Sequence, residues 1–418
     1  MDAVTMDAVT MMRRCARPVL WYGTMACLGV LLGLLCTAVA QERATSPETV
    51  KQLYPKLQAA PFGKGIFTHT RRSARKNETG SSEVEAWAHN PYIAGTQLSY
   101  SWAELEPREG DYQWQLIESD MAPWARAGKK CWIEIATANK RDKADAGGRG
   151  TPEWVFNKGV PKVKNDNTAS YPVFWNQQYI ALWGKFVRAL AKKFDGDPRL
   201  EFVSTGGYAN GHEPNLSSSD NDALMPQWHS AGFDGFTPQG TYFTKAIKPI
   251  LTLFSESFRK TPMAQIIHVK SDFDQTMNAF AAGRKFILLS NGLGTKSANT
   301  TGRQAWRERA ETLGVKVGYA EWGPSGRETS PEQLQRKKER KRARREGRAT
   351  EELQAGRDDS TKAKLIDVYR AAIGDDSDPH LAPYSKLSYL PLAPRIPEVE
   401  TEAEWQAALK WAWEHLKP

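Results

Sequence analysis

The chain has 418 residues, of which 40% are hydrophobic and 25% charged, enough apolar material for a substantial core and too much for a disordered or fibrous chain. Its formal charge of +9 is concentrated in one place: the segment RKKERKRARREGR, Arg336–Arg348, carries nine basic and two acidic residues. The rest of the chain is close to neutral, which gives no ground for a nucleic-acid surface on the fold itself.

Taken in chain order, residues 1–10 are MDAVT written twice, and a different pattern starts at Met12. Arg13, Arg14 and Arg17 precede an uncharged apolar run from Val19 to Val39, and Ala38-Val39-Ala40 forms a small-x-small cleavage site before Gln41. Residues 1–40 are therefore expected to be a signal peptide, with an uncleaved membrane anchor as the other reading of an apolar run of about 20 residues. The rest of the chain would be exported, to a secreted or periplasmic location. Cys15, Cys27 and Cys36 lie in this leader, so only Cys131 remains to the mature chain. That excludes an intramolecular disulfide or a multi-cysteine metal site.

Beyond the leader, short β-type runs alternate with amphipathic helical stretches. The predicted strands are Gly65–Thr70, Ile93–Tyr100, Lys130–Thr137, Leu200–Gly206, Ala264–Val269, Lys285–Ser290, Val315–Ala320 and Lys386–Leu392. Helices are expected at Leu116–Ala127, Phe174–Phe194, Tyr242–Arg259, Asp274–Ala282, Arg303–Leu313 and Thr401–Leu416. In the second of these, Tyr179, Leu182, Phe186, Leu190 and Phe194 recur at three- and four-residue steps and make one apolar stripe. Gly128, Gly283 and Gly314 stand where helix C-caps belong. Eight strands linked by crossover helices predict an α/β fold, a single (β/α)8 barrel over residues 41–418. Between the seventh and eighth strands, residues 327–378 read as one charged insertion. Its basic run suits either a solvated helix or a contact for a polyanion such as a sulfated or uronate-bearing polysaccharide.

In such a barrel the chemistry belongs at the C-terminal ends of the strands. After the fourth strand the sequence reads STGGYANGHEPN, which places Glu213 beyond a glycine-rich turn. At the seventh it reads VKVGYAEWGPSG, which places Glu321 at the strand end. Two carboxylates on one rim are what glycoside hydrolysis requires. Glu104 and Glu106, in WAELEP, suit a structural turn closed by Pro107 and Gly110. Glu134, in CWIEIAT, alternates with Ile133 and Ile135 and is expected inside the barrel, paired with a buried base.

The chain resembles the clan A glycoside hydrolases, and among them the family 42 β-galactosidase type of barrel. The residues that carry the resemblance are SYSWAELEPREGDYQW after the second strand, DGDPRLEFVSTGGYANGHEP around the fourth and YAEWG at the seventh. It implies a retaining enzyme with Glu213 as acid/base and Glu321 as nucleophile. The clan usually places Asn before the acid, where this chain has His212 with Asn210 nearby, and often a Trp on strand eight, where this chain has Tyr389.

Fourteen of the 15 Trp lie beyond the leader. Trp suits sugars because its flat apolar face stacks on C–H groups while its N–H bonds hydroxyls. Trp102, Trp154, Trp175, Trp228 and Trp322, at strand ends or in loops, are subsite candidates led by Trp322 and Trp102. Asn210, His212 and Asn291 complete the expected substrate contacts. The seven His residues show no metal-binding spacing, and no phosphate loop, serine elbow or dinucleotide motif follows a strand. No metal or cofactor is expected. The expected partner is an oligo- or polysaccharide, with an anionic one among the candidates; nucleic acid is not, and a membrane is only if the signal stays uncleaved. The rival readings are a non-catalytic carbohydrate-binding barrel and a polyanion-binding surface protein.

Overall fold

The structure is a computed structural model that describes residues 47–59, 63–70, 84, 86–137, 150–164, 170–208, 216, 224–268, 271–293, 301–322, 364–374, 387–392 and 401–417. The expected signal peptide and the basic run Arg336–Arg348 lie outside the described residues. A short helix, α1 (Pro47–Leu53), belongs to an N-terminal unit that ends at Leu53, and everything from Tyr54 onward forms a second unit.

In the second unit the strands are β1 (Gly65–Thr70), β2 (Gly95–Ser101), β3 (Lys130–Ala136), β4 (Lys162–Lys164), β5 (Ser170–Pro172), β6 (Leu200–Ser204), β7 (Met263–Ile267), β8 (Ile287–Leu293), β9 (Val317–Trp322) and β10 (Leu387–Pro391). Eight of them close into a barrel in the order β1-β10-β9-β8-β7-β6-β3-β2, every pair parallel, while β4 and β5 form a small antiparallel hairpin outside it. This is the (β/α)8 barrel that the alternation predicts. Each predicted strand is present, with ends shifted by a few residues.

The helices described around it are α2 (Trp102–Leu105), α3 (Trp114–Arg126), α4 (Glu153–Asn157), α5 (Gln177–Phe194), α6 (Met225–Ser230), α7 (Lys248–Ser257), α8 (Asp272–Gly283), α9 (Thr301–Thr312), α10 (Leu365–Ile373) and α11 (Glu402–His415). The predicted stripe of α5 is buried along its whole length. A π-helical turn, Phe243–Ile247, leads into α7. Gly128 and Gly314 have the left-handed backbone expected of caps, with φ of +77° and +65°. Gly283 does not: it is the last residue of α8, and Lys285 two positions on takes the left-handed turn, with φ +64°.

The stretch 327–378 is not all insertion. Its residues Leu365, Val368, Tyr369, Ala371, Ala372 and Ile373 are buried, and the α10 they form packs on α11 as part of the barrel's outer layer. The charged residues on either side masked this period. Residues 327–363 lie outside the described residues.

The segments that carry the family resemblance have structural duties. Asp195 of DGDPR accepts the backbone N–H of Arg259, Lys260 and Thr261 at 2.8–3.0 Å, which ties the turn before β6 to the turn before β7. Asp197 and Arg199 form a buried bidentate pair, with Nη2 to Oδ2 at 2.6 Å. Cys131 is buried behind the barrel wall, and burial pushes its thiol well above the usual range.

At the N-terminal floor of the barrel, Glu201 accepts the Gly63 N–H at 2.7 Å and the Tyr389 hydroxyl at 3.1 Å, with Lys130 Nζ at 3.7 Å. Burial dominates: it pushes the Glu201 carboxyl above its ordinary 4.5 and the Lys130 and Lys316 amines below theirs. The folded chain thus holds the Glu201 proton more tightly than the unfolded chain. The stability this group contributes is fully present below the ordinary carboxyl value and is lost as pH rises through the folded one. Glu201→Gln is expected to flatten the fall of stability as pH rises above the ordinary carboxyl value of 4.5, read from urea midpoints; an unchanged slope would show that the carboxyl titrates alike in both states.

Candidate active site

The barrel interior is layered. Side chains alternate along each strand between the helix-facing and inward sides, and the inward set includes an apolar cluster of Phe67, Trp132, Phe202, Ile266, Leu289 and Tyr389. Phe202 sits at its centre, stacked on Trp132 at 5.1 Å between centroids and edge-on to Tyr389 at 5.3 Å. A cavity of only about 10 Å³, the scale of one water, is lined by Phe67, His69, Gln97, Trp132, Phe202 and Tyr389. Tyr389 therefore belongs to the core of the barrel, with its hydroxyl on the floor carboxylate rather than at the mouth.

Above this plug the inward positions turn polar. The ladder pairs His69 with Gln97 and Ser99 with Glu134, and the pairing of Ile133 with Val203 brings Ser204 to the level of Glu134. Gln97 Nε2 donates to Glu134 Oε2 at 2.5 Å and lies 3.3 Å from Ser99 Oγ, so the three share one face. Glu134 points into the barrel as its alternation predicts, and it accepts from the Gln97 amide. The polar layer was legible in GTQLSYS, where Gln97 and Ser99 alternate with Leu98 and Tyr100, yet the sequence reading did not single it out.

Glu321 and Trp322 are the last two residues of β9, at the C-terminal rim, and Glu321 pairs in register with Asn291 of β8. Asn210, His212 and Glu213 lie outside the described residues. The chain leading to them is described as far as Tyr208, and it leaves β6 through a tightly constrained turn. A Cβ on Gly206 would lie 2.5 Å from the Ile135 carbonyl oxygen; one on Gly207, whose φ is +98°, would lie 2.2 Å from Trp183 Nε1. Tyr179 donates its hydroxyl to the Gly207 carbonyl at 2.7 Å, and Tyr242 donates to that of Tyr208. The Tyr208 hydroxyl donates to Gln265 Oε1 at 2.6 Å. Burial, with a smaller contribution from the charge of Glu134, pushes the Tyr208 hydroxyl up to about 12. Every anchor of this turn is a buried side chain, so the loop carrying Glu213 starts from a fixed point on the fourth barrel strand.

The aromatic expectations need correction. Trp102 is fully buried under edge contacts with Trp154, Tyr179 and Trp183, and its Nε1 donates to Glu106 at 2.7 Å. Trp175 is buried as well, with Nε1 on the Ala231 carbonyl at 2.8 Å, and it packs on Trp228, itself fully buried. Trp154 is half-buried and donates to the Glu106 carbonyl at 3.1 Å. Trp102, Trp175 and Trp228 are thus taken up by packing between loops and barrel. A Trp beyond a strand end looks the same in sequence whether its ring turns outward to the helices or inward to the mouth. Here the local signal was Glu106, one helical turn after Trp102 and placed to receive its N–H.

Glu104 and Glu106 have the structural role expected of them. Glu104 closes a capping box with Ser101, and Glu106 accepts the Gly110 N–H at 2.8 Å while burial raises its carboxyl above the ordinary value.

No family model matches this chain, and no curated protein sequence does. Solved structures do. The chain is similar to the catalytic domain of β-amylase from Paenibacillus polymyxa, at 9% identity and a TM-score of 0.47, over 86% of this chain and 100% of that one. It is similar to native xylanase 10B from Thermotoga maritima, at 9% identity and a TM-score of 0.46, over 87% and 98%. Endo-glycoceramidase II from Rhodococcus sp. shows 13% identity and a TM-score of 0.36, over 63% and 75%. The barrel assignment rests on the chain's own closed ring of strand pairs.

Proposed function

We propose that this protein is an exported glycoside hydrolase of the retaining type, similar to the family 42 β-galactosidases, acting on an oligo- or polysaccharide. The observation that supports the reading is the position of the two strands that lead to the acids. Glu321 is the last residue but one of the seventh barrel strand, the sequence bearing Glu213 follows the fourth, and two strands separate these in the barrel wall. A polar layer lies directly beneath the C-terminal rim.

In the mechanism, the Glu321 carboxylate attacks the anomeric carbon as the glycosidic C–O bond breaks, and Glu213 gives its proton to the departing oxygen. Water then attacks the glycosyl-enzyme ester, losing a proton to Glu213 as the Glu321 oxygen leaves. The reading gives Asn291, next to Glu321 in the ladder, a hydrogen bond to a hydroxyl of the sugar that becomes attached.

The test is a screen of the chain from Gln41 onward against aryl glycosides and neutral and sulfated polysaccharides, with proton NMR of the first product to read its anomeric configuration. Product with net retention supports the proposal; net inversion replaces the double displacement by a single one. If wild type and Glu321→Gln are both silent but retain a polysaccharide on an affinity gel, the barrel is a binding protein.

A further inference from the structure

Among the described residues two large apolar side chains stand exposed, Leu53 in the N-terminal unit and Phe236, at 37%, in the barrel unit. Phe236 lies in the loop 231–241 between α6 and the π-helical turn, within the long connection from β6 to β7. Its ring meets Tyr242, which precedes that turn, at 5.7 Å between centroids, and Phe273, in the first turn of α8, at 5.5 Å. Both neighbours stand at the start of crossover helices, and those ends lie on the side of the barrel where the strands finish. Tyr242 also donates its hydroxyl to the Tyr208 carbonyl, just past the end of β6. Phe236 is therefore on the C-terminal rim, outward of the turn that leaves the fourth barrel strand.

The loop holds the ring in place. The Asp234 carboxylate accepts the Thr241 backbone N–H at 2.8 and 3.0 Å and its hydroxyl at 3.2 Å, the Gly240 N–H donates to the Thr237 carbonyl at 3.1 Å, and the Phe233 carbonyl lies 2.8 Å from His229 Nδ1. Phe233, at 5.0 Å, joins Tyr242 and Phe273 in packing on Phe236, all three at angles of 68–79° to it. A ring fixed beforehand costs little further ordering when a ligand covers it.

Asp234, Thr237 and Gln239, beside it in the loop, are exposed too. One apolar ring bordered by a carboxylate, a hydroxyl and an amide matches a sugar unit, whose C–H face is bordered by hydroxyls that both donate and accept. It falls well short of the contiguous apolar patch of about several hundred Å² that marks a protein or membrane contact.

We propose that Phe236 is the stacking platform of an outer sugar-binding subsite on the rim, so that the substrate is a chain of sugar units extending from the reaction centre onto the β6–β7 connection. This subsite rests on the glycoside hydrolase reading and narrows it, because a small glycoside that fills only the reacting position leaves Phe236 uncovered.

Wild type, Phe236→Ala, Phe236→Leu and Phe236→Tyr are assayed for kcat/KM on aryl glycosides and on cello-, xylo- and galacto-oligosaccharides of increasing length, and for retardation in gels containing xylan, β-glucan or galactan. Thermal melting checks each fold. Wild-type kcat/KM is expected to rise with chain length. Phe236→Ala should lower the ratio of long-chain to aryl-glycoside kcat/KM on the order of tenfold, mainly through KM for the chain. Phe236→Tyr, which keeps a flat ring, should restore most of the ratio, and Phe236→Leu, apolar but not flat, should not.

A ratio that Phe236→Ala leaves unmoved overturns the subsite, as does Phe236→Leu serving as well as Phe236→Tyr. If Phe236→Ala fails to fold, the leucine and tyrosine variants still decide. Retardation that depends on Phe236, with no turnover of any glycoside, would uphold the subsite and overturn the hydrolase reading. Turnover that depends on neither chain length nor Phe236 overturns the subsite alone, and absence of both retardation and turnover overturns both.

Discussion

Glu321→Gln is expected to abolish turnover of every glycoside that the wild-type chain cleaves, while substrate affinity changes by no more than a few-fold. An amide in that place keeps the shape of the side chain but has no anionic oxygen to form the ester, so the loss falls on kcat with KM nearly unmoved. Glu213→Gln should behave differently. Without its acid, the enzyme loses on the order of 10²–10⁴-fold on sugars with poor leaving groups, yet keeps much of its rate on dinitrophenyl glycosides, whose leaving oxygen needs no proton. Steady-state kinetics over a series of leaving groups separates the two. The opposite pattern, with Glu321→Gln sensitive to the leaving group and Glu213→Gln uniformly dead, would exchange the roles; undiminished rates in both would remove the two residues from the chemistry.

The second large effect is expected at Gly207. Alanine there would be held at φ +98° and would bring its Cβ to 2.2 Å from Trp183 Nε1. Trp183 cannot yield, because it is fully buried among Trp102, Phe186 and Phe254. Backbone strain and overpacking together should cost about 3–5 kcal/mol in urea unfolding. Because the turn aims the Glu213 loop, the fraction that remains folded should also lose activity. Gly159→Ala is the control: φ is +95° there too, but no atom lies within 4 Å of the added carbon. Its cost should be the strain alone, about 1 kcal/mol or somewhat more. Equal losses at both positions would show that the Trp183 contact carries no weight.

The eight strands were readable because each is a short β-rich run followed by a turn, and a parallel barrel buries both faces of every strand. What escaped the sequence reading did so for local reasons. The hairpin of β4 and β5 has three residues per strand, too few for a period to show. The apolar face of α10 was lost in the surrounding charge. Trp102 and Trp175 were misassigned because composition and position along the chain do not say which way a ring turns. The acids fared otherwise: Glu104 and Glu106 declared their structural role by the turn that Pro107 and Gly110 close around them, and Glu134 declared its inward direction by alternation.

The aromatic plug around Phe202 turns the barrel into a cup with one opening. Among the described residues the plug leaves no passage from below, so anything that binds above it arrives and departs by the C-terminal mouth. Under the proposed double displacement the water of the second step would share that route, and departure of the first product would set when it can enter.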